Sequence, residues 1–134
     1  MREILFRGKR LDNGEWIEGY YVRATHHWHK HGVHEDWIIA GAAANGGWFA
    51  IHERRAVDPA TVGQYTGLTD MQGVKIFEGD VVTMAEEYGK IEYSETEAMF
   101  QVVFDTWCTD FDHYFGTDFE VIGNIHDNPE LLEG

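Results

Sequence analysis

Five histidines fall within nine residues of this 134-residue chain, in the run HHWHKHGVH, and their spacing suggests metal chemistry more directly than any other stretch. On an extended strand His27, His29 and His31 point to one side, roughly 6.5 Å apart at each two-residue step. Neutral imidazoles so arranged can hold zinc, nickel or copper, with Glu35, Asp36 and His52 available to complete a site. The helical HExxH spacing of zinc hydrolases is missing, and the run falls where a polar loop between strands is expected. A surface loop is the leading reading. Pairing of histidines across a subunit interface, sensitive to pH between roughly 5 and 7, is a rival to the metal reading.

The second chemical stretch, DTWCTDFDHYFGTDFE, holds Cys108, His113 and the aspartates Asp105, Asp110, Asp112 and Asp118. A cysteine nucleophile needs a base to raise its thiolate fraction, and His113 reaches Cys108 only if the loop turns back. The neighbouring carboxylates work against this, because they repel the thiolate and raise the thiol pKa. The aspartate spacing lacks the turn glycine and terminal glutamate of a calcium-binding loop, so solvated or interface carboxylates are expected. No GxxxxGK phosphate loop, no GxGxxG after a strand and no GxSxG elbow occurs. The residues thus lean away from an enzyme, and no cofactor is expected beyond the transition metal of the His-rich reading.

Charge is divided unevenly between the two halves. Residues 1–60 hold eight basic and eight acidic side chains, whereas residues 61–134 hold two basic and sixteen acidic ones, so the whole net charge of −14 sits in the second half. Such a surface repels phosphate backbones, and direct nucleic-acid binding is not expected. Basic partners, divalent cations or simple solubility suit it better. Arg7, Lys9 and Arg10 beside Phe6, and the pair Arg54-Arg55, are read as balancing nearby carboxylates. A single cysteine excludes an internal disulfide framework and suits a reducing cytoplasm. With neither a charged-then-apolar leader nor an apolar run of about 18 residues, secretion and membrane spanning are not expected.

The elements that position these residues are read as strands. Apolar residues recur at period two or in short blocks, never over three turns of a helix, so the fold class is all-β with short helical turns only. A hairpin is expected around Asn13-Gly14. A second joins Trp37–Ala40 to Trp48–Ile51 across a GAAANGG loop, with Asn45-Gly46 as its tight turn. In VDPATVGQYTGLTDMQGVKIFEGDVV, Val57 to Val82, Asp58-Pro59 caps one helical turn. Val62 to Thr66 forms a short strand stopped by Gly67, Asp70 to Gly73 turns the chain, and Val74, Ile76, Val81 and Val82 form a strand interrupted at Glu78-Gly79-Asp80. KIFEGDVVTM, YGKIEYSE and AMFQVVFD then repeat a strand rhythm expected to curl into a small, SH3-like barrel in the C-terminal half. Phe119 to Ile125 supplies a closing strand, and Asn128-Pro129 begins a final helical turn. One domain is expected, with β subdomains 1–73 and 74–134.

The Val57 to Val82 block resembles the central signature of the YopX family, small proteins of bacteriophages and of prophages in Gram-positive bacteria. The opening MREILFRGKRLDNGEWIEGYY and the closing EVIGNIHDNPELLEG agree with it, and the three stretches cover 62 of the 134 residues in order. The resemblance implies an all-β, phage-associated protein of the bacterial cytoplasm, and it supplies no catalytic residues. Together with the absence of a catalytic constellation, it points to a non-enzymatic accessory module that forms homo-oligomers and binds a phage or host protein. A metal-dependent enzyme built on the His-rich segment, and an acidic mimic of nucleic acid that occupies a basic host protein, are the alternatives.

Overall fold

A computed structural model describes residues 2–25, 34–111 and 118–133, without side chains at positions 43, 45, 48 and 49. The described chain is nearly all strand and contains no α-helix. It divides into two compact units, Glu3–Gln64 and Tyr65–Gly134 with Met1–Arg2.

In the first unit, β1 (Phe6–Lys9) and β2 (Trp16–Thr25) form the expected hairpin, closing at Lys9↔Trp16. β2 continues into an antiparallel ladder with β3 (His34–Asn45), which in turn pairs with β4 (Trp48–Ala56). The expected GAAANGG loop is instead strand: Gly41 to Asn45 pair with Glu53 to Trp48, and the turn shrinks to Gly46-Gly47. Both glycines hold positive φ, +58° and +102°, which a two-residue hairpin turn requires and Asn45 does not have to supply. Pairing with an apolar partner strand has overridden the weak strand propensity of the alanines. Asp58 caps the short 3-10 turn Pro59–Thr61 as expected, its Oδ1 accepting from the Ala60 N–H at 3.0 Å. The first two residues of β5 (Gly63–Thr69) then pair with β1.

In the second unit, the remainder of β5 pairs with β6 (Lys75–Phe77). Gly67 does not stop β5; the strand runs on to Thr69, with a break in register between Tyr65 and Thr69. The interruption at Glu78-Gly79 separates β6 from β7 (Asp80–Met84), and the buried Asp80 accepts from the Phe77 N–H at 2.7 Å. β8 (Glu87–Ser94), β9 (Met99–Val103), β10 (Cys108–Asp110) and β11 (Glu120–Asn124) complete a five-stranded antiparallel sheet in the order β10-β9-β8-β7-β11. The expected barrel does not close. The outer edge of β11 is occupied by the Asp70–Val74 turn, with the Val121 N–H donating to Asp70 Oδ2 at 3.0 Å and the Met71 N–H to the Phe119 carbonyl at 3.0 Å.

Alternation along β7, β8 and β9 sends Val82, Ile91 and Val102 to one face. There they pack with Ile76, Phe104, Phe111 and Phe119 into the core of this unit. The opposite face receives the C-terminal 3-10 turn Pro129–Leu132. Asn128-Pro129 begins that turn as expected, but the Asn128 side chain makes no capping bond to it; its Oδ1 accepts instead from the Asn124 N–H at 3.3 Å. Gly123 admits this arrangement, since a Cβ there would lie 2.5 Å from Asn128 Oδ1 and 2.9 Å from Leu131 Cδ1.

Candidate functional site

The β2–β3 ladder builds one polar cluster. Arg23 and Asp36 are cross-strand partners, Tyr21 lies two residues before Arg23, and His34 two residues before Asp36, so period two brings all four to one face. The Asp36 carboxylate is buried, and its Oδ1 accepts from the Tyr21 hydroxyl and from Arg23 Nε at 3.0 Å. His34 Nε2 stands 3.8 Å from Oδ2. Burial pushes the Asp36 carboxyl up, but the Tyr21 and Arg23 hydrogen bonds together outweigh it and hold the group below the usual carboxylate range. Burial, then the same carboxylate, raises the Tyr21 phenol. A fixed anion with this set of donors locks β2 to β3.

The metal candidates His27, His29 and His31 lie outside the described residues, as does His26. The residues proposed to complete their site do not assemble. Asp36 is engaged by Tyr21 and Arg23, and Glu35 turns to the other face, where its Oε2 accepts from Trp37 Nε1 at 3.2 Å. His52 sits on β4 beside Gly41, five residues from Asp36 along β3 and so roughly 16 Å away. Among the described residues no three His, Cys, Asp or Glu side chains group to hold a metal ion. Of the aspartate-rich stretch, Cys108, Asp105, Asp110 and Asp118 are exposed, while Asp112 and His113 lie outside the described residues. The basic residues have local partners: the Arg7 and Lys9 side chains lie over the Trp16 ring, Arg10 pairs with Asp12, Arg54 lies over Trp37 and Arg55 meets Glu53.

Two surfaces stand out for binding rather than chemistry. Beyond Ala40, β3 pairs with β4 alone among the described residues, so Gly41–Asn45 and Trp48–Glu53 form a two-stranded ribbon. The successive residues Ala50 and Ile51 point to opposite faces and both are exposed, as are Ala42 and Ala44. Neither face of the ribbon is therefore covered at these positions. The register breaks on both sides of Gly41, so a bulge lies at the ribbon's root and sharpens its twist.

The second surface surrounds the β7–β8 turn. A hollow of about 590 Å³ is lined by Tyr88, Lys90, Val103, Phe104 and Leu132 together with Glu86 and Asp105. A neighbouring hollow of about 440 Å³ shares Tyr88 and Glu86 and adds Met71, Met84, Ile122 and the carboxylates of Asp118 and Glu120. The turn between them, Ala85-Glu86, holds φ of +51° and +69° without a glycine. Such a conformation costs about 1–2 kcal/mol per residue. Residue-by-residue reading did not single this surface out. The alternation in EYGKIEYS does place Tyr88 and Lys90 on the face away from Ile91, and that was the available signal.

Comparison with known proteins yields no match among curated proteins. Among solved structures, the crystal structure of protein EF1440 from Enterococcus faecalis superposes with a TM-score of 0.63, covering 98% of this chain and 99% of that one. At 24% identity the likeness speaks for the fold. A family model described as YopX protein matches residues 5–133, nearly the whole length, and the chain belongs to the YopX family.

Proposed function

We propose that this YopX-family chain is a non-catalytic module that self-associates and binds a protein partner, as an accessory protein of phage or prophage origin working in the bacterial cytoplasm. The single observation that carries the reading is the β3–β4 ribbon. A two-stranded hairpin is marginally stable in water by itself, and this one exposes apolar residues on both faces with no third strand beside its distal half among the described residues. A second copy laid against it would cover Ala42, Ala44 and Ile51 and supply the packing that one chain lacks. The family resemblance supports the phage and cytoplasmic assignments. The Tyr21–Arg23–Asp36 cluster supports a non-catalytic role, because its polar groups are spent on one another.

Light scattering across a wide concentration range tests self-association. The wild-type chain is expected to show a mass above that of one chain, rising with concentration, and Ile51→Lys combined with Ala44→Glu to give a single-chain mass with an unchanged circular dichroism spectrum. A wild-type chain that stays monomeric at every concentration would end the proposal.

A further inference from the structure

We propose that the paired hollows around Tyr88 form a docking groove for a basic, amphipathic segment of a partner protein. This deepens the protein-binding part of the proposed function and rests on it; it does not rest on self-association.

The groove is open to solvent and is lined by apolar and polar side chains together. Met71 is 60% exposed, Tyr88 48% and Leu132 39%, three large side chains from three separate stretches converging on one surface. Together they offer large side chains for apolar contact with a partner. Methionine and aromatic side chains adapt to varied apolar partners. The lining is also anionic, with Glu86, Asp105, Asp118 and Glu120 contributing to the two hollows. Lys90, a cation within the lining, pairs with Glu92 at Nζ–Oε1 2.5 Å; Glu120 accepts from Gln72 Nε2 at 3.1 Å, and among the described residues no ion pair neutralises the four carboxylates. A surface that mixes large apolar side chains with carboxylates complements a segment that alternates apolar and cationic side chains.

Other occupants fit less well. Nucleic acid would bring phosphates against the same carboxylates. A second copy could offer Arg10, Arg23, Arg54 and Arg55 only by giving up the contacts that each makes within its own unit. A divalent cation needs several carboxylates grouped about one point, and no such group exists among the described residues.

Calorimetric titration of the full chain with three synthetic probes of equal length tests the proposal: an alternating Leu-Lys peptide, an alternating Leu-Glu peptide and a lysine homopolymer. The Leu-Lys peptide is expected to bind with affinity that falls as salt rises, and the other two to bind at least about tenfold more weakly, a difference of 1.4 kcal/mol. Tyr88→Ala and Glu86→Lys are each expected to weaken Leu-Lys binding by about tenfold while the melting temperature and the light-scattering mass stay as in the wild type. Leu132→Ser provides a separate test should either of the others melt early. Equal binding of the Leu-Glu peptide or the homopolymer, or unchanged Leu-Lys binding in the variants, overturns the groove. So does a fall in the chain's own mass on substitution, which would make this face a contact between copies. A monomeric wild type that still binds the Leu-Lys peptide through Tyr88 would end the self-association reading and leave the groove standing.

Discussion

The two units of this chain are built of the same element and stabilised in different ways. Among its described residues Glu3–Gln64 contains two fully buried apolar side chains, Ile38 and Val57, and it places the buried carboxylate of Asp36 under side chains from the neighbouring strand. Tyr65–Gly134 buries seven described residues in one cluster and places its buried carboxylates, Asp70 and Asp80, under backbone N–H groups. The first is a sheet that presents its surfaces, the second a sheet that encloses a core. Hydrophobic burial, the dominant favourable term in folding, is therefore concentrated in the second unit, while the first is free to carry the ribbon.

The largest expected effect lies in the core. Phe119 is fully buried and packs with Phe104 and Phe111, so Phe119→Ala is expected to cost about 3–5 kcal/mol, measured by urea unfolding. A smaller loss would break the contrast, since the second unit would not then be the one that the core holds.

Asp70 comes next. Its Oδ1 accepts from the N–H groups of Gln72 and Val74 at 2.8 and 2.9 Å, and Oδ2 accepts from Val121. Burial pushes this carboxyl up, but the three backbone donors together hold it below the usual range. Asp70→Asn is expected to cost about 2–3 kcal/mol at neutral pH. A depressed carboxyl stabilises the fold above its unfolded pKa and loses that contribution as pH falls through its folded value. The wild type is thus expected to lose stability steeply below about pH 4, and Asp70→Asn to flatten that slope.

In the first unit, Tyr21→Phe removes one charge-assisted hydrogen bond to Asp36 and is expected to cost about 1.5 kcal/mol in the same assay. The smallest effect on folding sharpens the comparison most. Ile51→Lys on the ribbon is expected to change stability by no more than about 0.5 kcal/mol, while lowering the mass seen by light scattering. A large folding penalty there would show that the ribbon is packed and not presented.

Local chemistry was the legible part of this fold. Asp58 and Pro59 declare a capped turn because both requirements, an oxygen acceptor and a fixed φ, are met by adjacent residues. The period-two runs of β7 to β9 declare strands for the same reason. What stayed hidden depends on distant partners. Gly41 to Asn45 resembles a loop until Trp48 to Glu53 pairs with it, and the barrel resembles a closed one until Asp70 reaches Val121 across 51 residues. The Tyr88 groove was invisible because Met71, Tyr88 and Leu132 become neighbours only in the folded chain. The histidine run was easy to notice for the opposite reason: its members are adjacent in sequence, although Glu35, Asp36 and His52 do not assemble to complete it.

The Asp70 carboxylate also has a consequence for growth. By occupying the outer edge of β11, the Asp70 turn withdraws that side of the five-stranded sheet from pairing with a strand of another chain. A sheet with both edges bare can extend copy after copy into a fibre. Growth across β11 is closed off by a single carboxylate.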